Sequence, residues 1–114
     1  MMTRHTRVMW IERKSDQLAG QARIGRVSFS KSGASLLYRG QTFRSLKGQG
    51  FKANYFDIDS GDEYWISGCH QDGRDALYST DVEVDEDVRE EYWVTIRSRP
   101  DLKHLSKFRA QGKH

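Results

Sequence analysis

Few side chains in this sequence could do chemistry, and they are scattered. Cys69 stands next to His70, the one cysteine of the chain beside one of its four histidines. A thiol and an imidazole can act as nucleophile and base. Neighbours on a strand point to opposite faces, so these two cannot serve each other, and a second histidine would have to approach in space. His5, His104 and His114 all lie towards the ends of the chain. The expectation is a small buried thiol beside a surface imidazole, and no catalytic residue. One cysteine and four dispersed histidines also lack the ligand spacing of a zinc site. Asp57-x-Asp59-x-Gly61-Asp62-Glu63 loosely follows a calcium loop, but its glycine is misplaced and the distal glutamate is missing. It reads as an acidic hairpin tip. Lys47-Gly48-Gln49-Gly50-Phe51-Lys52 could offer backbone N–H groups to a phosphate, yet Gly-Lys-Ser/Thr and a following helix are absent. It reads as a connector. No metal and no cofactor is expected.

Charge is the larger signal. The chain carries +3 overall, but residues 1–54 sum to +9, residues 55–93 to −11 and residues 94–114 to +5. One outcome is mutual neutralisation, because a sheet brings distant segments together. The other is a two-signed surface for a charged partner. Asp72, Asp75, Glu83, Asp85, Asp87, Glu90 and Glu91 are too many to single out an acid–base pair, but they suit a basic protein surface. Arg23, Arg26, Lys31, Arg39, Arg44, Lys47 and Lys52 are interleaved with Phe29, Tyr38, Phe43 and Phe51. That combination suits nucleic acid, with cations on phosphates and rings on bases. The acidic block would repel the same polyanion.

The elements that must hold these residues are mostly strands. Lys52–His70 carries Tyr55, Phe56 and Ile58, then Tyr64, Trp65 and Ile66, around Asp59-Ser60-Gly61-Asp62, and predicts the central hairpin of the core. A two-residue Ser60-Gly61 loop would place Phe56 opposite Trp65 and Tyr55 opposite Ile66. Arg7–Arg13 reads as a strand bounded by charge. Ala22–Ser30 changes parity at Gly25, which predicts a β-bulge. Leu36–Arg39 and Gln41–Leu46 predict a second hairpin, with Leu36 facing Phe43 and Tyr38 facing Gln41. Leu77–Val84 holds one more short strand. Val88, Tyr92 and Ile96 recur at helical spacing within residues 85–97, where Asp85 or Asp87 could cap, and Pro100 marks the stop.

These elements predict a mainly β fold: a small curved, SH3-like barrel of about five to seven short antiparallel strands with one C-terminal helix. The 114 residues make one domain at 7–100, after a flexible terminus at 1–6 and before a basic tail at 101–114 that is either a docked helix or a disordered arm. No run approaches the length of a membrane span, and the N-terminus lacks the apolar core of a signal peptide. The single cysteine points to the cytoplasm.

Three stretches together resemble a known family. They are Arg7–Glu12, then Leu37–Gly48, then Glu63–Gly68 with Asp85 and Val88–Trp93 downstream. They are similar to a family of small bacterial proteins of about this length, sometimes mislabelled as deoxyxylulose-phosphate synthase. That enzyme is a large thiamine-diphosphate protein, and this chain could not hold its cofactor. The resemblance implies no catalytic residues. Some compact bacterial proteins of this kind serve as immunity or accessory partners. The expected function is therefore a non-catalytic, cytoplasmic protein-binding module. Most concretely it is an immunity-like protein whose acidic residues occlude a toxin domain. The alternative is a small nucleic-acid-binding barrel using the basic residues above.

Overall fold

Two long strands carry the architecture. In the computed structural model, which describes residues 5–14, 20–48 and 52–113, β1 (His5–Arg13) and β2 (Ala22–Phe29) pair antiparallel from His5 opposite Phe29 to Glu12 opposite Ala22. Both are buried on two faces. Val8, Trp10, Ala22 and Ile24 enter one core, while Met9, Ile11 and Val27 enter another. This explains the parity change at Gly25 without the expected bulge. The ladder runs on unbroken, with Gly25 opposite Met9, and it is the buried face that switches.

The second core fills a closed barrel. β3 (Ser35–Tyr38), β4 (Gln41–Ser45), β5 (Tyr55–Asp57) and β6 (Glu63–Gly68) follow as antiparallel neighbours, and β6 returns to β1 to close six strands. Leu36, Tyr38, Phe43 and Ile66 join Met9, Ile11 and Val27 inside, where Phe43 and Tyr64 meet edge to face at 4.8 Å. The β3–β4 register is the expected one, Leu36 opposite Phe43 and Tyr38 opposite Gln41. Closure leaves these strands no free edge.

The β5–β6 hairpin differs from its expected form. Tyr55 faces Tyr64 and Phe56 faces Glu63, a shift that leaves a longer connection than Ser60-Gly61 alone. Asp57 is the reason. Its carboxylate accepts the N–H of Asp59 at 2.8 Å and of Ser60 at 3.4 Å, while Gln41 Nε2 donates to it at 2.8 Å. An Asx-type turn of this kind consumes two residues that a tight reversal would leave in the strands. The hairpin is one wall of the barrel rather than its centre, and Trp65 and Ile58 face outward.

The first core lies outside the barrel, under the rest of the chain. β7 (Thr80–Val84) runs parallel to β2, and β8 (Lys107–Ala110) pairs antiparallel to β7. The basic tail at 101–114, expected as a docked helix or a disordered arm, thus carries a strand at Lys107–Ala110. Between them come a 3-10 turn (Glu86–Val88), a π-helical turn (Glu91–Ile96) and a 3-10 turn (Pro100–Leu102). Val88 and Tyr92 are fully buried and Ile96 packs against the same core, which is the expected face. The wider π turn also buries Trp93, stacked edge-on to Phe108 at 5.2 Å. Among the described residues no helix is long and apolar enough to cross a membrane.

The donors around Asp57, led by the Asp59 N–H, hold its carboxyl below the ordinary carboxylate range. The stabilisation is present above the unfolded-state value, about 4, and is lost as pH falls through the lower folded value. Acid unfolding followed by circular dichroism is expected to be steeper in this range for the wild type than for Asp57→Asn.

Candidate functional site

The N-terminal half of β2 and its C-terminal end use the same edge for different partners. Ser28 and Phe29 pair with β3, whereas Ala22–Ile24 pair with β7. The two neighbours diverge from a fork at Gly25. Between them opens a cleft of about 720 Å3, lined by Tyr38 and Arg39 on one side and by residues 83–87 on the other.

Asp85 bridges the fork. It stands at the N-cap position of the 3-10 turn, but its side chain caps nothing. It accepts instead from Arg23 Nη2 at 2.6 Å, from Arg23 Nε at 3.2 Å and from the Tyr38 hydroxyl at 2.6 Å. Arg39 adds a longer contact at 3.4 Å, and Arg23 also reaches Glu83 at 3.1 Å. Charge-assisted bonds of this kind are the strong ones. Burial works against the charge on Arg23, but the bonds to Asp85 and Tyr38 outweigh it and push its pKa up. Burial and the bond to Asp85 push Tyr38 to about 12. Gly25 makes room for this arrangement. A Cβ there would sit 2.4 Å from the Tyr38 ring and 2.5 Å from Asp85.

The acidic residues do not share one surface. Glu83 and Asp85 are held by Arg23, and Glu91 is held by Arg26 at 2.5 Å. Asp87 and Glu90 are exposed on the helical segment together with Glu86. Asp72 and Asp75 belong to a different loop. Asp72 accepts the Arg74 N–H at 2.9 Å and closes its own turn, which lowers its pKa. Asp75 is buried.

The basic residues divide likewise. Arg23, Arg26 and Arg39 are spent on the carboxylates just described, while Lys31, Arg44 and Lys47 are exposed on the β3–β4 side. Lys52 is half-buried, and the connector positions Gln49, Gly50 and Phe51 lie outside the described residues. Much of the opposed block charge is thus neutralised across strands.

Cys69 and His70 separate as expected from their parity. The thiol packs against the outer core, and burial, with the Asp75 charge behind it, pushes its pKa far up. That is the opposite of an activated nucleophile. His70 is oriented by Asp75, whose Oδ1 lies 2.6 Å from Nδ1 and accepts the His70 backbone N–H at 2.9 Å. Burial pushes the Asp75 carboxyl up against the pull of these bonds. The imidazole is more than half exposed and lines a shallow depression with Arg97. Among the described residues no group of three or more His, Cys, Asp or Glu is placed to hold a metal ion.

Sequence reasoning missed the fork itself. The sequence places Tyr38 opposite Gln41 and among the aromatics of a nucleic-acid surface, and only the parallel β2–β7 pairing brings its hydroxyl to Asp85. No protein-family model, curated protein or solved structure matches this chain.

Gly25→Ala is expected to cost about 1–3 kcal/mol through overpacking, read as a lower urea midpoint with an unchanged m-value. Of the five tyrosines, Tyr38 and Tyr92 are both raised by burial to about 12. Their protonated forms stabilise the fold below the unfolded value of about 10, and this is lost as pH rises towards 12. Ultraviolet titration is expected to show a phase near pH 12 that shrinks in Tyr38→Phe.

Proposed function

We propose that the protein is a non-catalytic binding module for another protein, and that the partner docks on the cleft at the β2 fork. The observation that supports this reading is the division of the acids around it. Glu83, Asp85 and Glu91 are locked to Arg23 and Arg26 and form a pre-organised wall. Glu86, Asp87 and Glu90 stand exposed beside that wall, and Glu86 and Asp87 line the cleft. A rigid wall lowers the ordering cost of association, and free carboxylates at its rim attract and orient a basic segment. The most concrete version is an immunity-like protein that covers the basic active site of a toxin domain in the cytoplasm. The resemblance to a family of small bacterial proteins is in keeping with that role. The inert environment of Cys69 favours a binding role over nucleophilic catalysis at this residue.

A tagged pull-down from nuclease-treated lysate tests this. The wild type is expected to retain a stoichiometric basic protein. The Glu86→Lys/Asp87→Lys/Glu90→Lys variant is expected to bind it at least about tenfold more weakly, because it sets like charges against a basic partner. Undiminished capture by the variant would remove the cleft as the docking surface. Nucleic acid that co-purifies without nuclease and is lost at high salt would shift the function to the exposed Lys31, Arg44 and Lys47 side.

A further inference from the structure

The β5–β6 hairpin spends only part of its apolar mass on the barrel. Tyr55, Tyr64 and Ile66 point inward. Side chains alternate along a strand, so Phe56, Glu63 and Trp65 belong to the outer surface. The same alternation puts Leu37 of β3 and Thr42 and Arg44 of β4 outside, because Leu36, Tyr38 and Phe43 lie inside. Ile58, just past β5, is 47% exposed, and Leu37 and Trp65 are each 37% exposed. Scattered exposed apolar residues are ordinary, whereas a contiguous group marks an interaction surface.

The register makes the group contiguous. Leu37 pairs with Thr42, and the Ile58 N–H donates to Thr42 O at 3.0 Å. Leu37, Thr42 and Ile58 thus form an uncharged row across three strands. The next row is Arg44, Phe56 and Glu63, since Arg44 pairs with Phe56 and Phe56 with Glu63. A cation, a ring and an anion stand side by side at the strand spacing of about 5 Å. Arg44 is exposed, and Phe56 and Glu63 are half-buried. β7, the helical turns and β8 cover the outward face of β1 and β2, while this face meets solvent.

We propose that this face binds a second copy of the chain, as a symmetric dimer whose two-fold axis runs along β5. Rotation about that axis sets the charged row against its own reverse. Phe56 then meets Phe56 of the other copy, Ile58 meets Ile58, and Arg44 and Glu63 of each copy meet Glu63 and Arg44 of the other. A two-fold interface uses one patch on both subunits and must be self-complementary, and the order cation, ring, anion has that property. An apolar centre flanked by paired charges also matches the core and rim of a stable interface. A polyanion would gain at Arg44 and lose at Glu63, and a basic partner would do the reverse. Closure of the barrel removes strand edges here, so the contact is face to face. The face lies on β4–β6, apart from the β2 edge where the fork opens, and the inference is independent of the protein-binding reading.

The test is the mass of the full chain by sedimentation equilibrium over a range of concentrations, with circular dichroism as the check on folding. A species of twice 13.3 kDa that dissociates on dilution is expected. Arg44→Glu sets like charges together on both sides of the axis, and so does Glu63→Arg. Each is expected to weaken the dimer by about tenfold or more. The Arg44→Glu/Glu63→Arg double variant restores the alternation of sign and is expected to recover the dimer. Mixing the two single variants is expected to yield the heterodimer, a rescue that a merely misfolded variant would not show. Ile58→Ser, a mild change at an exposed position, is expected to weaken the dimer with the fold intact, and keeps the test decisive if a charge variant fails to fold. Monomer mass for the wild type at every concentration would overturn the proposal. So would a dimer left unchanged by Ile58→Ser or by both single charge variants, which would place the contact elsewhere, such as the β8 edge. Loss of the dimer in the single variants with no recovery in either the double variant or the mixture would overturn the two-fold arrangement.

Discussion

The rest of the structure depends on the two-sided burial of β1 and β2. A strand in a small barrel normally shows one face to water. Here the inward face of the pair contributes Met9, Ile11 and Val27, and its outward face contributes Val8, Trp10, Ala22 and Ile24. The outward apolar stripe has to be covered, and β7, the helical turns and β8 cover it. Tyr92, Trp93 and Phe108 form an aromatic cluster over this stripe, with Arg97 stacked on the Trp93 ring at 5.2 Å. The barrel is thus one half of a structure whose other half packs on its outer wall.

Covering that stripe creates the fork. A parallel strand can use the β2 edge only where β3 does not, so β3 and β7 share it end to end and splay apart at Gly25. The opening exposes polar ends of three strands, and Asp85 ties them together through Arg23 and Tyr38. Removing any one member would leave charged or polar groups without their partners in a half-buried setting, which costs more than the net value of the bonds. The network therefore fixes the relative placement of β2, β3 and β7 as well as shaping the cleft.

A similar economy appears at Glu12. Its position at the end of an apolar run reads as a boundary charge, yet it is 1% exposed. Trp10 Nε1, Lys14 Nζ and the Gly20 N–H all donate to it, and the Thr80 hydroxyl then bonds Gly20 O. This chain of contacts ties β1 to the start of β7.

The sequence by itself determined the local elements. Leu36, Tyr38 and Phe43 around Arg39-Gly40 specify a hairpin and its register, because side-chain alternation and turn chemistry are properties of a few adjacent residues. Val88, Tyr92 and Ile96 specify a buried helical face for the same reason. Charge blocks of opposite sign are also legible, but which charges meet is not. Only the tertiary structure decided that Arg23 lies against Asp85, 62 residues away, that the basic tail becomes β8, and that the parity change at Gly25 marks a second core rather than a bulge. Each of these depends on a parallel crossover or a long-range pairing, and such contacts are chosen by what the outer face of β1–β2 must bury. No local pattern of residues records that requirement.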